Sequence, residues 1–349
     1  MKKTPEKPEL SEKINRQSIP SKFIVIDFEW NQPVPWLHAR ISYKELPGEI
    51  IEIGAVKLIK ENGKYIVSES FRRFVRPVYY TIMNKNVSAI VQRNSAALKH
   101  GLRFHEAYEE FLGWCGSDFV LCSWSYSDIP ILKANLKLHK MNHHLGRLFL
   151  DVQPLFSLIA EESNKQRSVE FAVDYFGFPK KRTFHEAKED AYYTGLILKA
   201  LLEKIAENEE DADKHQKKKF SHVLWDHMMN PDLKAETVQE TGLFSTWEKC
   251  FSKTSRKVPR CPECQRTLTA RIEWFRLKKS AFSLWFCAEH RLISGRMRLK
   301  KTPNKKVYAS VRFKLDGPVG ERVVLEKKAE YEIYGAEGKP FVAPAELKN

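Results

Sequence analysis

Cysteine is scarce, with 6 among 349 residues. A chain of this length with so few thiols is not a disulfide scaffold. Long apolar runs are missing too. No stretch reaches the roughly 18 consecutive apolar residues of a membrane span, so no membrane helix is expected. Met1 to Pro20 is polar and lysine-rich, without the apolar core of a secretory signal. It reads as a flexible segment, with the cytoplasm as the default location. No internal repeat or low-complexity tract is present, which argues against solenoids and propellers. What the sequence does contain is 30% charged and 42% hydrophobic residues. That is a globular balance, in a chain long enough for two domains.

The charge is uneven. From Phe251 to the end there are 23 Lys and Arg against 10 Asp and Glu, a net +13 within a total of +15. A nearly neutral body with a basic tail points to an anionic polymer as partner.

The body opens on Phe23-Ile24-Val25-Ile26-Asp27-Phe28-Glu29-Trp30. The apolar run reads as a buried strand. Side chains alternate along a strand, so Asp27 and Glu29 point the same way. Two anions at the end of a buried strand repel each other and desolvate poorly. A divalent cation resolves the conflict, and oxygen donors suit Mg²⁺ or Mn²⁺. Taken alone, the pair also fits a strand that ends at the surface with two solvated acids.

Asn31–Gly48 reads as a loop beside these acids. Glu49–Ile59 and Tyr65–Val75 read as a second and third strand, turned at Asn62-Gly63. Phe104–Trp114 has helical spacing. Phe119–Cys122 is a short strand, and Asp128 opens a helix that carries Pro130 in its first turn. Leu148–Leu150 reads as another strand, followed by helices over Pro154–Ala160, Val169–Phe176 and Phe184–Ile205, with Gly177 as a C-cap. The last of these helices holds His185 and Asp190 at its start. A carboxylate there can reach a metal, and an imidazole one turn earlier can act as a base. A helix start whose acids complement the dipole is the other reading of that segment.

The acids and the histidine, taken in order, resemble the DEDDh group of 3′→5′ exonucleases on the ribonuclease-H-like fold. Asp27-Phe28-Glu29 matches its first motif, Asp128 its second and His185-x4-Asp190 its third. Glu49-Ile50-Ile51-Glu52-Ile53-Gly54-Ala55 is similar to the second strand of the Eri-type and KapD-like branch. The resemblance spans about Ser21 to Lys204. It implies an α/β fold, with a mixed sheet flanked by helices over 21–206. It implies two Mg²⁺ or Mn²⁺ ions about 4 Å apart. Asp27 would bridge both ions, Glu29 and Asp190 would hold the one that binds the attacking water, and Asp128 would support the other. His185 would take the proton from that water. Single-stranded RNA is the favoured substrate on this resemblance, with DNA second, and nucleoside 5′-monophosphates are the products. Phe28, Trp30 and Trp124, which flank the acids, are the expected base contacts. A non-catalytic nucleic-acid-binding protein on the same fold is the alternative from another class, although binding alone needs no set of four carboxylates.

Residues 207–252 read as a charged linker and helical bridge, and 253–349 as a small zinc-ribbon-like β domain. Cys261-x2-Cys264 and Cys287-x2-His290 form two short ligand pairs. Three thiolates and an imidazole suit one tetrahedral, structural Zn²⁺. Arg271, Arg276, Lys278, Lys279, Arg291, Arg296 and Arg298 interleave with Trp274, Phe275, Phe282, Trp285 and Phe286. Cations that hold phosphates beside aromatics that stack bases make a single-strand binding pattern. Most of these aromatics equally suit a small core. A protein partner for the tail is the other possibility. Val307–Tyr334 is expected to continue as strands.

Overall fold

A computed structural model describes residues 19–34, 41–43, 45–91, 95–163, 165–211, 220–233 and 236–336. The chain divides into two compact units, Met1–Asp232 and Leu233–Asn349. Most of the N-terminal segment lies outside the described residues. So do residues 35–40 and 44 of the expected loop and 212–219 of the expected linker. Among the described residues no helix is long and apolar enough to cross a membrane.

The first unit begins with three antiparallel strands, β1 (Lys22–Asn31), β2 (Glu49–Glu61) and β3 (Lys64–Phe74). The short helices α1 (Lys85–Val91) and α2 (Ser95–Leu98) and the longer α3 (Phe104–Cys115) follow. Then come β4 (Val120–Ser123), α4 (Asp128–Leu138), β5 (Phe149–Asp151), α5 (Val152–Ile159) and α6 (Val169–Tyr175). The unit closes with α7 (Ala187–Asp211), α8 (Phe220–His227) and β6 (Met228–Met229). The strand order is β3-β2-β1-β4-β5-β6. β1 pairs antiparallel with β2 and parallel with β4. This is the expected mixed sheet flanked by helices.

β1 is apolar on both faces because both are covered. Phe23 and Val25 join a core with Leu155, Phe156, Ile197 and Leu201 of α5 and α7. Ile24, Ile26 and Phe28 face the other way, toward Phe104 and Phe111 of α3 and Ile129 and Leu132 of α4. The odd positions therefore look toward α7, and Asp27 and Glu29 continue that row. α7 is helical because Ala187, Ala191, Thr194, Leu198, Leu201 and Ile205 recur every three or four residues, each at most 1% exposed.

The second unit contains β7 (Glu236–Glu240), α9 (Trp247–Ser255), β8 (Thr269–Leu277), β9 (Ser280–Cys287), β10 (Arg291–Lys301), β11 (Val307–Lys314) and α10 (Gly317–Tyr334). Its five strands pair antiparallel in the order β7-β11-β10-β9-β8. On one face, Met297, Leu299, Ala309 and Val311 pack with Cys250 and Phe251 of α9. On the other, Phe275, Phe282 and Leu284 pack with Val324 and Tyr331 of α10.

Two sequence expectations require correction. Val307–Tyr334 is not all strand. Alternation ends at Lys314, and Gly317-Pro318 opens a helix of 18 residues, proline suiting the first turn. The third-motif helix begins at Ala187 rather than Phe184, because His185 takes a left-handed backbone conformation with φ 64°. The bridge segment supplies elements to both sheets: β6 pairs with β5, and β7 pairs with β11.

Candidate active site and cysteine–histidine centre

Asp27 sits on the central strand opposite Gly54, and Glu29 opposite Glu52. The register shifts between Glu29 and Trp30 before pairing resumes at Ile50, a device that re-aims side chains at the rim of a site. α7 crosses this face and contributes Asp190 from its first turn. Carboxylate oxygens of Asp27, Glu29 and Asp190 lie within 4.8 Å of one another.

Gly54 makes this approach possible. A Cβ there would stand 2.1 Å from the Ala187 carbonyl carbon and 2.2 Å from the Lys188 nitrogen. Only a bare backbone lets the start of α7 lie so close to β2. A glycine inside an apolar strand was the sequence signal for such an approach.

Asp128 stands at the start of α4, 4% exposed, and accepts a hydrogen bond from the Phe28 amide at 3.2 Å. That amide lies between the two acids of β1, so the second motif is tied directly to the first. Asp128 is not among the three acids that converge most closely, but it lines the same cleft. The His185 ring is exposed at the cleft margin, while its backbone N–H donates to Asp190 at 2.9 Å. The cleft has a volume of about 450 Å³, and its walls include Trp30, Trp124 and Phe184.

The electrostatics show the strain of assembling these acids. Burial, and then the charges of Asp128, Asp190, Glu29 and Glu52, hold Asp27 well above the usual carboxylate range. Burial pushes Asp128 up to about 7 against the pull of the Phe28 amide and the Ser123 hydroxyl. Burial also pushes Asp190 up to about 6 against the His185 amide. Acids that resist ionisation when crowded gain from a cation, and an all-oxygen donor set fits a hard divalent one.

Behind the site, Arg72 of β3 pairs with Glu52 at 2.8 Å and with Glu186 at 2.8 Å. Glu52 is 1% exposed, so it depends on that guanidinium. The same Arg72 ties the residue after His185 to the sheet. Neither Arg72 nor Glu186 stood out in the sequence, because no motif spacing marks a pair that folding brings together.

The expected base contacts are placed unevenly. Phe28 is corrected to a core residue. Alternation turns its side chain away from Asp27 and Glu29, and it is 2% exposed. Trp30 is half-buried and leans over Gly48, where a Cβ would come within 2.2 Å of the indole. Trp124 is half-buried against Phe156, with its indole N–H donating to the Arg167 carbonyl at 2.9 Å.

In the second unit, Cys261, Cys264, Cys287 and His290 offer ligand atoms within 4.8 Å of one another. Cys261 Sγ lies 3.5 Å from His290 Nδ1, Cys264 Sγ 3.7 Å from Cys287 Sγ, and Cys287 Sγ 3.7 Å from His290 Nδ1. Bonds of about 2.3 Å to sulfur and about 2.05 Å to nitrogen give tetrahedral edges of about 3.8 and 3.6 Å. The donor set therefore fits a tetrahedral cation. Against burial, the amides of His290 and Glu289 bring the Cys287 thiol down to about 6. Burial pushes Cys261 up to about 11 despite the amides of Cys264 and Glu263. All six cysteines are free thiols, and Cys115, Cys122 and Cys250 are buried core residues. Of the tail aromatics, Phe275, Phe282 and Trp285 are 6–8% exposed and fill the core.

With this geometry in place, the class is defined. Residues 24–198 match the RNase T family, described as Exonuclease. The chain belongs to that exonuclease family. Curated proteins gave no match. Among solved structures, cell-death related nuclease 4 (CRN-4) is 20% identical with a TM-score of 0.45, over 52% of this chain and 64% of that one. The chain thus spans less than two thirds of CRN-4. The nuclease domain of 3′hExo, a DEDDh family member bound to rAMP, is 16% identical with a TM-score of 0.45, over 53% of this chain and 94% of that one. E. coli ExoI in a complex with ssDNA is 11% identical with a TM-score of 0.39, over 57% of this chain and 44% of that one.

Proposed function

We propose that the chain is a divalent-metal-dependent 3′→5′ exonuclease. It shortens single-stranded nucleic acid, RNA foremost, and releases nucleoside 5′-monophosphates. The observation that carries this reading is the convergence of Asp27, Glu29 and Asp190 in a cleft that also holds Asp128 and His185. These four carboxylates would hold two Mg²⁺ or Mn²⁺ ions. When bound, such ions polarise the phosphodiester, acidify the attacking water and offset charge on the leaving 3′-oxygen.

The chain's own residues supply the rest. His185 accepts the proton of the attacking water. Its left-handed backbone directs its N–H to Asp190, so the base and one carboxylate are positioned together. The Phe28 amide orients Asp128. Trp30 and Trp124 border the place where the terminal nucleotide sits, and Arg72 anchors the segment that carries His185. In the second unit, Cys261, Cys264, Cys287 and His290 hold one structural Zn²⁺ with no coordination position left open. Its basic surface adds affinity for nucleic acid.

RNA is placed first because the sequence resembles the Eri-type branch. Digestion of 5′-labelled single-stranded RNA and matching DNA, beside Asp27→Ala, tests the reading. It expects a ladder shortening from the 3′ end, faster on RNA and absent in the variant. Faster loss of DNA would make DNA the substrate. No degradation of either by the folded, metal-supplied protein would leave a binding module.

A further inference from the structure

The second unit carries many cations, and several of them already have partners. Arg266 pairs with Glu289 at 3.2 Å, Arg276 with Glu248 at 3.6 Å and Lys278 with Glu330 at 3.6 Å. Arg271 lies over the Phe286 ring at 4.7 Å. One group differs. Arg296 and Arg298 on β10 are exposed, and no acid lies within ion-pair distance of either among the described residues. Across the ladder Arg296 stands opposite Arg312 of β11, and Ser294 opposite Lys314. Directly opposed residues share a face, and alternation puts Arg298 on it as well. Three guanidinium groups and an ammonium group therefore crowd one side of two neighbouring strands.

The repulsion is visible in the chain itself. Burial, then the charges of Arg298 and Arg312, pull Arg296 below the usual arginine range. Like charges opposed on a sheet cost stability, so a polyanion that neutralises them gains twice. α10, which packs on this face, carries four acids, of which Glu330 pairs with Lys327 and Glu332 with Lys328. Glu236 reaches Arg312 at 3.6 Å and Glu240 reaches Lys300 at 3.4 Å, both from the edge strand β7. Asp316 is already engaged by the Ser294 hydroxyl at 2.7 Å.

We propose that Arg296, Arg298, Arg312 and Lys314 form the surface through which the second unit grips the phosphate backbone of nucleic acid. The choice of nucleic acid among polyanions rests on the nuclease reading above. Phe282, the aromatic nearest this row, is 8% exposed and lies beneath Arg296 with 5.8 Å from guanidinium to ring centroid. It is unavailable for stacking. The grip is therefore electrostatic, indifferent to sequence and steeply salt-dependent.

The test measures binding of a labelled single-stranded RNA across a salt series, using the full chain with Asp27→Asn to prevent cleavage. Arg296→Gln/Arg298→Gln/Arg312→Gln should weaken binding and lower the salt slope by about 2, at about 0.7 per phosphate contact. The matching Arg→Lys triple should keep most of that slope. Arg271→Gln/Arg276→Gln/Lys278→Gln, which changes residues with internal partners, should move it far less. An unchanged slope in the first triple, with zinc content and melting intact, overturns the proposal and leaves the row to a protein partner. Hydrolysis of a dinucleotide by the chain with native Asp27 is followed in parallel, with and without the first triple. That readout needs the cleft alone, so its failure would count against the catalytic reading and not against this surface.

Discussion

Replacing Gly54 with alanine tests how tightly the third motif is positioned. The new Cβ would meet Ala187 C at 2.1 Å, Lys188 N at 2.2 Å and Ala187 O at 2.4 Å, where real Cβ atoms stay beyond 3.0 Å. All three are backbone atoms, so no side chain can swing aside. The start of α7 must move off β2 by about 0.9 Å, and Asp190 moves with it. Overpacking of this kind costs about 1–3 kcal/mol, less than the 5–15 kcal/mol or so that holds a typical domain. The variant should therefore fold. Displacing a catalytic group by about 1 Å costs on the order of 10²-fold in rate. We expect Gly54→Ala to melt lower, to turn over about 10²-fold more slowly and to bind Mn²⁺ more weakly. Gly113→Ala in α3 is the control, because nothing lies within 4 Å of its added Cβ. It should be neutral or slightly stabilising. Native turnover and metal affinity in folded Gly54→Ala would refute the reasoning.

Three further outcomes are expected. His185→Ala should lower turnover by about 10²–10⁴-fold while Mn²⁺ affinity stays within a few-fold; single-turnover kinetics with metal titration checks both, and near-native turnover would remove His185 from the mechanism. Asp128 and Asp190, near 7 and 6 when folded, titrate above the ordinary value of 3.8. The metal-free fold thus holds extra protons between those limits, and its stability falls as pH rises through that window. Divalent metal should displace the protons, so its effect on melting should be larger at neutral pH than near pH 5; equal shifts at both would contradict the coupling. Cys264→Ser should release zinc and lower the melting of the second unit, since a closed site contributes folding energy; native melting with zinc lost would make the cluster dispensable.

Much of the site was legible because its residues sit in regular elements. The run Phe23–Glu29 announced a buried strand, and period-two alternation then placed Asp27 and Glu29 together. Asp128 was visible because a short apolar strand precedes it, although its bond to the Phe28 amide was not. Alternation also forbade Phe28 as a base contact, an inference that the sequence permitted. His185 was misplaced onto α7 because a left-handed residue leaves no mark in hydrophobic spacing. Arg72, Glu52 and Glu186 escaped notice because they come from three segments joined only by folding. In the tail, two Cys/His pairs sufficed to mark the metal cluster. The change from strand to helix at Gly317 was missed because α10 shows little apolar periodicity in sequence. The arginine row needed the β10–β11 register, which set Arg312 opposite Arg296.

The most direct test of the central claim is an electron paramagnetic resonance titration of Mn²⁺ into the zinc-loaded full chain and its Asp27→Asn variant. If Asp27, Glu29, Asp128 and Asp190 form a metal centre, the native chain should take up two ions. The variant, having lost the carboxylate that faces both other motifs, should bind at most weakly. Equal uptake by both proteins would contradict the account.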